Sequence, residues 1–180
     1  MLIHVTRFID WQDKIASLVE TQVKIYARQV EFNDNTFLRE LEQLWNEEFV
    51  PVTKNIISNP TVKDPSIKEM SWADLETHLH PAVAKIEVRA VHGDTKVDRL
   101  EHKNIRPLDY YDSKKGLSVI AVGGNKLSRG LTLEGLTITY FLRASKMYDT
   151  LMQMGRWFGY RPGYLDLCRL FTSSELVHWY

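Results

Sequence analysis

The chain has 180 residues, 44% hydrophobic and 26% charged, with 23 Lys and Arg balancing 23 Asp and Glu. That is the make-up of one ordinary domain able to bury a sizeable core. The chain shows no internal repeat and no low-complexity tract, and no apolar run approaches the roughly 20 residues a membrane helix needs. The zero net charge is unevenly spread. Residues 1–90 hold 10 basic against 14 acidic residues, a net −4, and residues 91–180 hold 13 against 9, a net +4. A basic second half suits a polyanionic partner. The opening MLIHVTRFI lacks a basic n-region and a cleavage site, so it does not read as a signal peptide. The lone cysteine, Cys168, excludes an internal disulfide and suits a reducing, cytoplasmic setting.

The first segment, MLIHVT, is short, apolar and partly β-branched, and predicts a buried strand. Helices follow. DWQDKIASLVETQVKIYARQV sets Ile15, Leu18, Val19, Gln22, Val23 and Tyr26 on one stripe at helical spacing, with Asp10 as N-cap. NTFLRELEQLWNEEFVPVTKNII predicts a second helix with Leu38, Leu41, Leu44 and Trp45 inward. Asn35 or Thr36 would cap it, and Pro51 would end or kink it. SNPTVKDPS is a loop, and SWADLETHLHPAV a short third helix opened by Ser71.

The character then changes. KIEVRAVHG is a strand ending at a glycine, and DTKVDRLEHKNIRPLDYYDSKKG is polar and irregular. LSVIAVGG is a continuous apolar run of the kind a parallel sheet buries on both faces. LTITYFLR is another strand, SKMYDTLMQMGRWFG a helix with Met147, Leu151 and Met154 on one face, LDLCRLF a strand, and SSELVHWY the start of a helix. Strands alternating with helices predict an α/β layer with a parallel sheet. Residues 10–85 read as a helical insertion between the first strand and the rest. With a strand at residue 2 and a helix stopping in mid-turn at the end, a piece of a larger protein is expected.

Two glycine-arginine stretches stand out. VIAVGGNKLSRG places Gly123, Gly124, Lys126, Ser128, Arg129 and Gly130 just past the carboxyl end of a strand, where parallel α/β sheets bind ligands. Glycines let the backbone approach a ligand and expose N–H groups, while Lys and Arg supply charge-assisted bonds to phosphate. QMGRWFGYRPG sets Gln153, Arg156 and Arg161 at a helix end, again beside glycines. The plain alternative is a set of glycine C-caps with surface arginines whose stems cover apolar surface.

The order of segments resembles the second RecA-like lobe of superfamily-two helicases. MLIHVTRF resembles the motif IV strand, VRAVHGDT the strand and His-Gly turn after it, VIAVGGNKLSRGLTLEGL motif V, and YDTLMQMGRWFGYRPG motif VI. More narrowly, IAVGGNKLSRGLTLEGLT and MYDTLMQMGRWFGYRPGYLDLCRLF resemble the Z-one (Z1) domain of large bacterial proteins described as endonucleases. The close likeness covers about residues 117–172. It implies a RecA-like three-layer lobe with a mostly parallel sheet, formed by residues 1–9 and 86–180, plus the all-helical insertion of residues 10–85.

The resemblance implies roles as well. Arg156 or Arg161 would stabilise a transferring phosphate as an arginine finger, and Gln153 and Gly130 would touch the nucleotide. Gly124, Lys126, Ser128, Arg129 and Thr132 would contact the backbone of a nucleic acid, expected to be DNA. Four departures qualify the match. Thr132 stands where motif V has an acidic residue, with Glu134 two further on; Arg156 and Arg161 are five apart rather than three; the gap from Gln153 to Gly155 is one residue short; and Trp157 and Phe158 replace smaller residues. Which arginine would reach a γ-phosphate stays open.

No GxxxxGK[ST] loop and no acidic DExx motif after a strand occur in the chain, so nothing cradles a triphosphate and Mg²⁺ in the P-loop manner. The reading therefore expects a cytoplasmic half-machine within an ATP-dependent DNA-processing or phage-defence enzyme. ATP and Mg²⁺ would bind only with a first RecA-like lobe, and the chain alone would be inactive. A companion ATPase or nuclease is an expected partner; a membrane is not.

A metal-dependent endonuclease is the second reading. Asp94, Glu101 and Lys103, or Asp109, Asp112 and Lys114, offer the acids and lysine of such a site, but in a chain 26% charged they read more simply as a solvated loop. A third is a non-catalytic interaction module docking through residues 10–85. His78 and His80, two apart on a helix, point away from each other and do not suit a shared metal. His92 reads as a turn residue, and Cys168 as a small core residue. Met147, Met152 and Met154 read as core, and Trp11, Trp45 and Trp72 as holding the helical segment together. Trp157 and Phe158 are candidates for base stacking.

Overall fold

The computed structural model of the protein describes residues 1–6, 8–91, 117–123, 135–142 and 161–178. Strands β1 (Leu2–His4), β2 (Glu87–Val91), β3 (Val119–Gly123), β4 (Ile138–Phe141) and β5 (Arg169–Thr172) form one sheet in the order β2-β3-β1-β4-β5. Every pairing among the described residues is parallel, and the fold is α/β, as the sequence predicts. The short β1 lies at the centre. Leu2 and Ile3 are buried, and so is His4, because neighbouring strands and layers close on both faces. LDLCRLF departs from expectation. Its first residues, Leu165–Leu167, form a 3₁₀ turn, and the strand begins only at Arg169.

Helix α1 (Ile9–Glu31) covers one face of the sheet. Ala16, with Ile15, Val19 and Val23 beside it, packs on Ile3, Val88, Ala90, Ile120 and Val122 of β1, β2 and β3. The register puts Tyr140 and Phe171 on this same face, beyond the helix, where both are exposed. The buried line along α1 runs through Gln12, Ala16 and Val30, so the predicted stripe needs correction: Leu18 and Gln22 face solvent, and Tyr26, partly exposed, stacks on Phe37 at 5.0 Å instead of on the sheet. The helix has no side-chain cap at its start, where Phe8 takes the N-cap position and Asp10 falls in the first turn.

Helices α2 (Asn35–Leu44) and α3 (Val50–Ser58) are joined by one π-helical stretch, Trp45–Phe49. Proline 51 explains it. A proline cannot donate to the preceding turn, and its ring crowds a carbonyl there. The chain widens by a residue just before it, with Val50 N–H bonding Trp45 O, and Pro51 then sits in the first turn of α3, where its missing donor costs nothing. Pro51 therefore neither ends nor breaks the run. Phe37 is the buried residue of α2, and Leu44 is exposed. Helix α4 (Trp72–Val83) starts at Ser71, whose hydroxyl accepts from Asp74 N–H, and α5 (Ser174–His178) follows β5. No helix among the described residues is long and apolar enough to cross a membrane.

The corner between α1 and α2 depends on one carboxylate. Asn33 takes the left-handed conformation, φ 53°, that ends many helices. Its N–H bonds Val30 O, and Asp34 N–H bonds Gln29 O at 2.8 Å, the two bonds of a Schellman motif. Asp34 then opens α2. Its carboxylate accepts from Thr36 N–H at 3.0 Å, Phe37 N–H at 3.3 Å and the Gln29 amide at 3.2 Å. The cap is thus Asp34, ahead of the predicted Asn35 or Thr36.

These bonds, the one from Phe37 first and that from Gln29 next, hold the Asp34 carboxyl below the usual carboxylate range. Such a group stabilises the fold fully above its unfolded pKa of about 4, and the contribution fades as pH falls through the folded value. Asp34→Asn keeps a capping side chain but not the charge. In urea unfolding followed by circular dichroism, the stability gap between wild type and Asp34→Asn should shrink from about pH 6 to about pH 3. A gap independent of pH would show that the charge contributes nothing.

Candidate functional site

All strands run the same way, so β1, β2, β3 and β4 end on one edge at His4, Val91, Gly123 and Phe141. The chain leaves β1 toward β2 on one side and leaves β4 toward β5 on the other. Neighbouring strands whose exits diverge open a crevice at the carboxyl edge, the usual ligand position in such sheets. His4 and Phe141, paired in register, stand at this point with rings stacked 5.1 Å apart. His4 is fully buried. In the sequence its only signal is a histidine closing an apolar run.

Of the predicted site residues, Arg161 lies within the described part. Gly124, Lys126, Ser128, Arg129, Gly130, Thr132, Gln153 and Arg156 lie outside it. So do His92, the acidic candidates Asp94, Glu101, Asp109 and Asp112 with Lys103 and Lys114, the methionines 147, 152 and 154, and the aromatic pair Trp157 and Phe158. Gly123, which closes β3, is the residue from which the first glycine-arginine stretch departs.

Arg161 sits on the turn that leads to β5. Tyr164 N–H bonds Arg161 O at 3.3 Å, and the Arg161 guanidinium lies over the Tyr164 ring, 5.2 Å from its centre. The side chain is exposed, and among the described residues it has no carboxylate partner. Its Nη1 abuts Gly135: a Cβ built there would lie 3.1 Å away, and Gly135 has φ +75°, a conformation glycine tolerates. Gly135 closes the stretch VIAVGGNKLSRGLTLEGL, apart from its last leucine. The fold therefore brings the arginine of the second stretch against the tail of the first. Both residues precede their strands, so this corner lies toward the amino edge of the sheet, across from the His4–Phe141 pair.

The helical segment grips the same region. Asp64 Oδ2 accepts from Gly163 N–H at 2.8 Å, and Thr53 Oγ1 donates to Asp166 Oδ2 at 2.8 Å. Arg169 donates to Glu48 O at 2.7 Å and lies over the Phe49 ring at 4.5 Å. Thr53 and Asp166 are both buried, so their bond is shielded from water.

Other candidates settle differently. His78 and His80 are exposed on α4, and the described residues hold no group of three or more His, Cys, Asp or Glu suited to a metal. Cys168 is half-buried between the 3₁₀ turn and β5, 3.3 Å from Tyr164 O, rather than inside a strand. Burial raises its thiol pKa, against the opposing pull of Arg169, so the sulfur is a poor nucleophile at neutral pH. Trp11 is exposed instead of holding the helices together. Trp45 and Trp72 are half-buried and flank a cleft of about 510 Å³.

The model of the Z1 domain family matches residues 1–180, and the chain belongs to that family. No curated protein and no solved structure matches it.

Gly163 links the two halves of this corner. Its φ is +78°, and a Cβ there would stand 3.2 Å from the Ser66 Cβ. Gly163→Ala should lower stability by roughly 1–2 kcal/mol from the backbone alone, with a further cost as Ser66 shifts. Urea unfolding checks it, and an unchanged midpoint would mean that the turn rearranges freely.

Proposed function

We propose that this Z1 domain works as a helicase-like second RecA-like lobe. It would contribute an arginine finger and nucleic-acid backbone contacts to an ATP-dependent DNA-processing or defence enzyme. The observation that carries the reading is Arg161. Its guanidinium is exposed, is held over Tyr164 and beside Gly135, and has no carboxylate partner among the described residues. A guanidinium on such a turn, with no carboxylate partner among the described residues, is suited to an anion from outside, and its planar fork matches phosphate.

Two further points support it. The sheet is parallel throughout among the described residues, and β3 ends at Gly123, from which the sequence enters the Gly124–Thr132 stretch, on the edge where such sheets bind ligands. The chain has no phosphate-cradling GxxxxGK[ST] loop of its own. A first lobe would therefore hold ATP and Mg²⁺, while Arg156 or Arg161 meets the γ-phosphate from across the cleft and Gln153 and Gly130 line it. Lys126, Ser128, Arg129 and Thr132, with Gly124, would follow the DNA backbone. The setting is cytoplasmic, and the partners are the first lobe, DNA and a companion ATPase or nuclease.

The test compares this chain with the full-length protein in an ATPase assay, with and without DNA, beside plasmid nicking in Mg²⁺. The chain alone should be silent, and the full-length enzyme should be stimulated by DNA. Arg156→Ala or Arg161→Ala should lower turnover by about 10³–10⁵-fold, and Arg129→Ala should remove the stimulation. Unchanged rates in all three variants would overturn the reading. Plasmid cleavage by the chain alone would favour the endonuclease, with Asp94 to Lys114 as the place to look.

A further inference from the structure

We infer that Asp64 is the positioning residue for Arg161, so that the helical segment sets the aim of the proposed arginine finger; this rests on the reading of Arg161 given above. Asp64 and Gly163 are 99 residues apart in sequence, yet their bond, at 2.8 Å, is among the short ones of the fold. The carboxylate is itself fixed, since Oδ1 accepts from Ser66 N–H at 3.0 Å while Oδ2 takes Gly163 N–H. It therefore joins the loop after α3 to the turn that carries Arg161 and Tyr164.

The fit is close on both sides of the turn. A Cβ at Gly163 would stand 3.2 Å from the Ser66 Cβ, and one at Gly135 3.1 Å from the Arg161 guanidinium, so either neighbour would have to give by a few tenths of an ångström. Between these contacts the arginine is bounded by the Tyr164 ring below it and Gly135 beside it. Thr53 and Glu48 hold Asp166 and Arg169 from the same helical segment, so the end of the turn is fastened as well. Remove the Asp64 acceptor and the Gly163 N–H must find water, while the turn keeps only its distal tethers. The guanidinium would then sample positions away from the Gly135 corner. A displacement near 1 Å is enough to cost about 10²-fold in a transferring step.

The experiment is a double-mutant cycle in the full-length protein, read as DNA-stimulated ATP hydrolysis. Asp64→Ala should lower kcat by roughly 10–100-fold with KM for ATP little changed. Asp64→Asn, whose amide oxygen still accepts from Gly163, should restore most of it. In an Arg161→Ala background, Asp64→Ala should cost nothing further, because nothing is left to aim; a merely structural role would cost the same in both backgrounds. Asp64→Ser carries the same test should Asp64→Ala melt at the assay temperature. If Arg161→Ala is costly but Asp64→Ala is silent or fully additive, the positioning role alone is wrong. If Arg161→Ala is silent, the reading of Arg161 fails and the role of Asp64 goes with it.

Discussion

The central strand β1 is the constraint on which the rest depends. It is three residues long, paired in parallel with β3 on one side and β4 on the other, and covered on both faces. A strand in that position has no solvent face, so Leu2, Ile3 and His4 must all be buried, at about 25 cal/mol per Å² of apolar surface removed from water. Parallel pairing forces every connection to cross from one edge of the sheet to the other. The exits from β1, β2, β3 and β4 are therefore gathered on one edge, and the approaches to β4 and β5 on the other. The site geometry follows from this. Gly123 and the His4–Phe141 pair belong to the exit edge, and Gly135 and Arg161 to the approach edge.

What was legible follows the same logic. Continuous apolar runs such as LSVIAVGG read as parallel strands because a two-faced strand shows no alternation. The orientation of α1 was harder. Large residues were assigned inward, but the sheet accepts the helix closely and takes Ala16, Val19 and Val23, while Trp11, Leu18, Ile25 and Phe32 remain outside. The outward set repeats every seven residues, so size and period both misdirect the reading. Asp34 was one residue from the predicted caps because Asp, Asn and Thr follow one another, and each can cap. The π turn had a visible cause in Pro51, but its five-residue step lies outside the period that marks an ordinary helix.

The contacts around Arg161 were not legible at all. Asp64 to Gly163, Thr53 to Asp166 and Glu48 to Arg169 span 99, 113 and 121 residues, and no local pattern encodes them. They also change the meaning of the helical segment. Read from sequence it is an insertion, set apart by composition. In the fold its first helix covers the sheet, and its second half takes hold of the approach to β5. Of the three tethers, the buried Thr53–Asp166 bond is the most consequential for stability. Leaving a buried donor or acceptor unmade costs about 1–3 kcal/mol, more than a surface bond contributes. Asp166 Oδ1 has no partner among the described residues, so the Thr53 hydroxyl carries much of that satisfaction.

Asp64 contributes something different. Its part-buried carboxylate accepts from Gly163 N–H and Ser66 N–H, and a bond to a charged group contributes about 1.5–3 kcal/mol, so it steadies the turn. It also sets direction. The turn has two degrees of freedom to lose, the left-handed Gly163 and the long Arg161 side chain, and Asp64 with Tyr164 removes one each. A guanidinium that meets a phosphate from across a cleft gains from every rotation already lost before the anion arrives, since that entropy is otherwise paid at the moment of reaction. On the proposed function, then, the helical segment and the glycine-arginine stretches are parts of one device, in which the bond between Asp64 and Gly163 bears on rate as well as on stability.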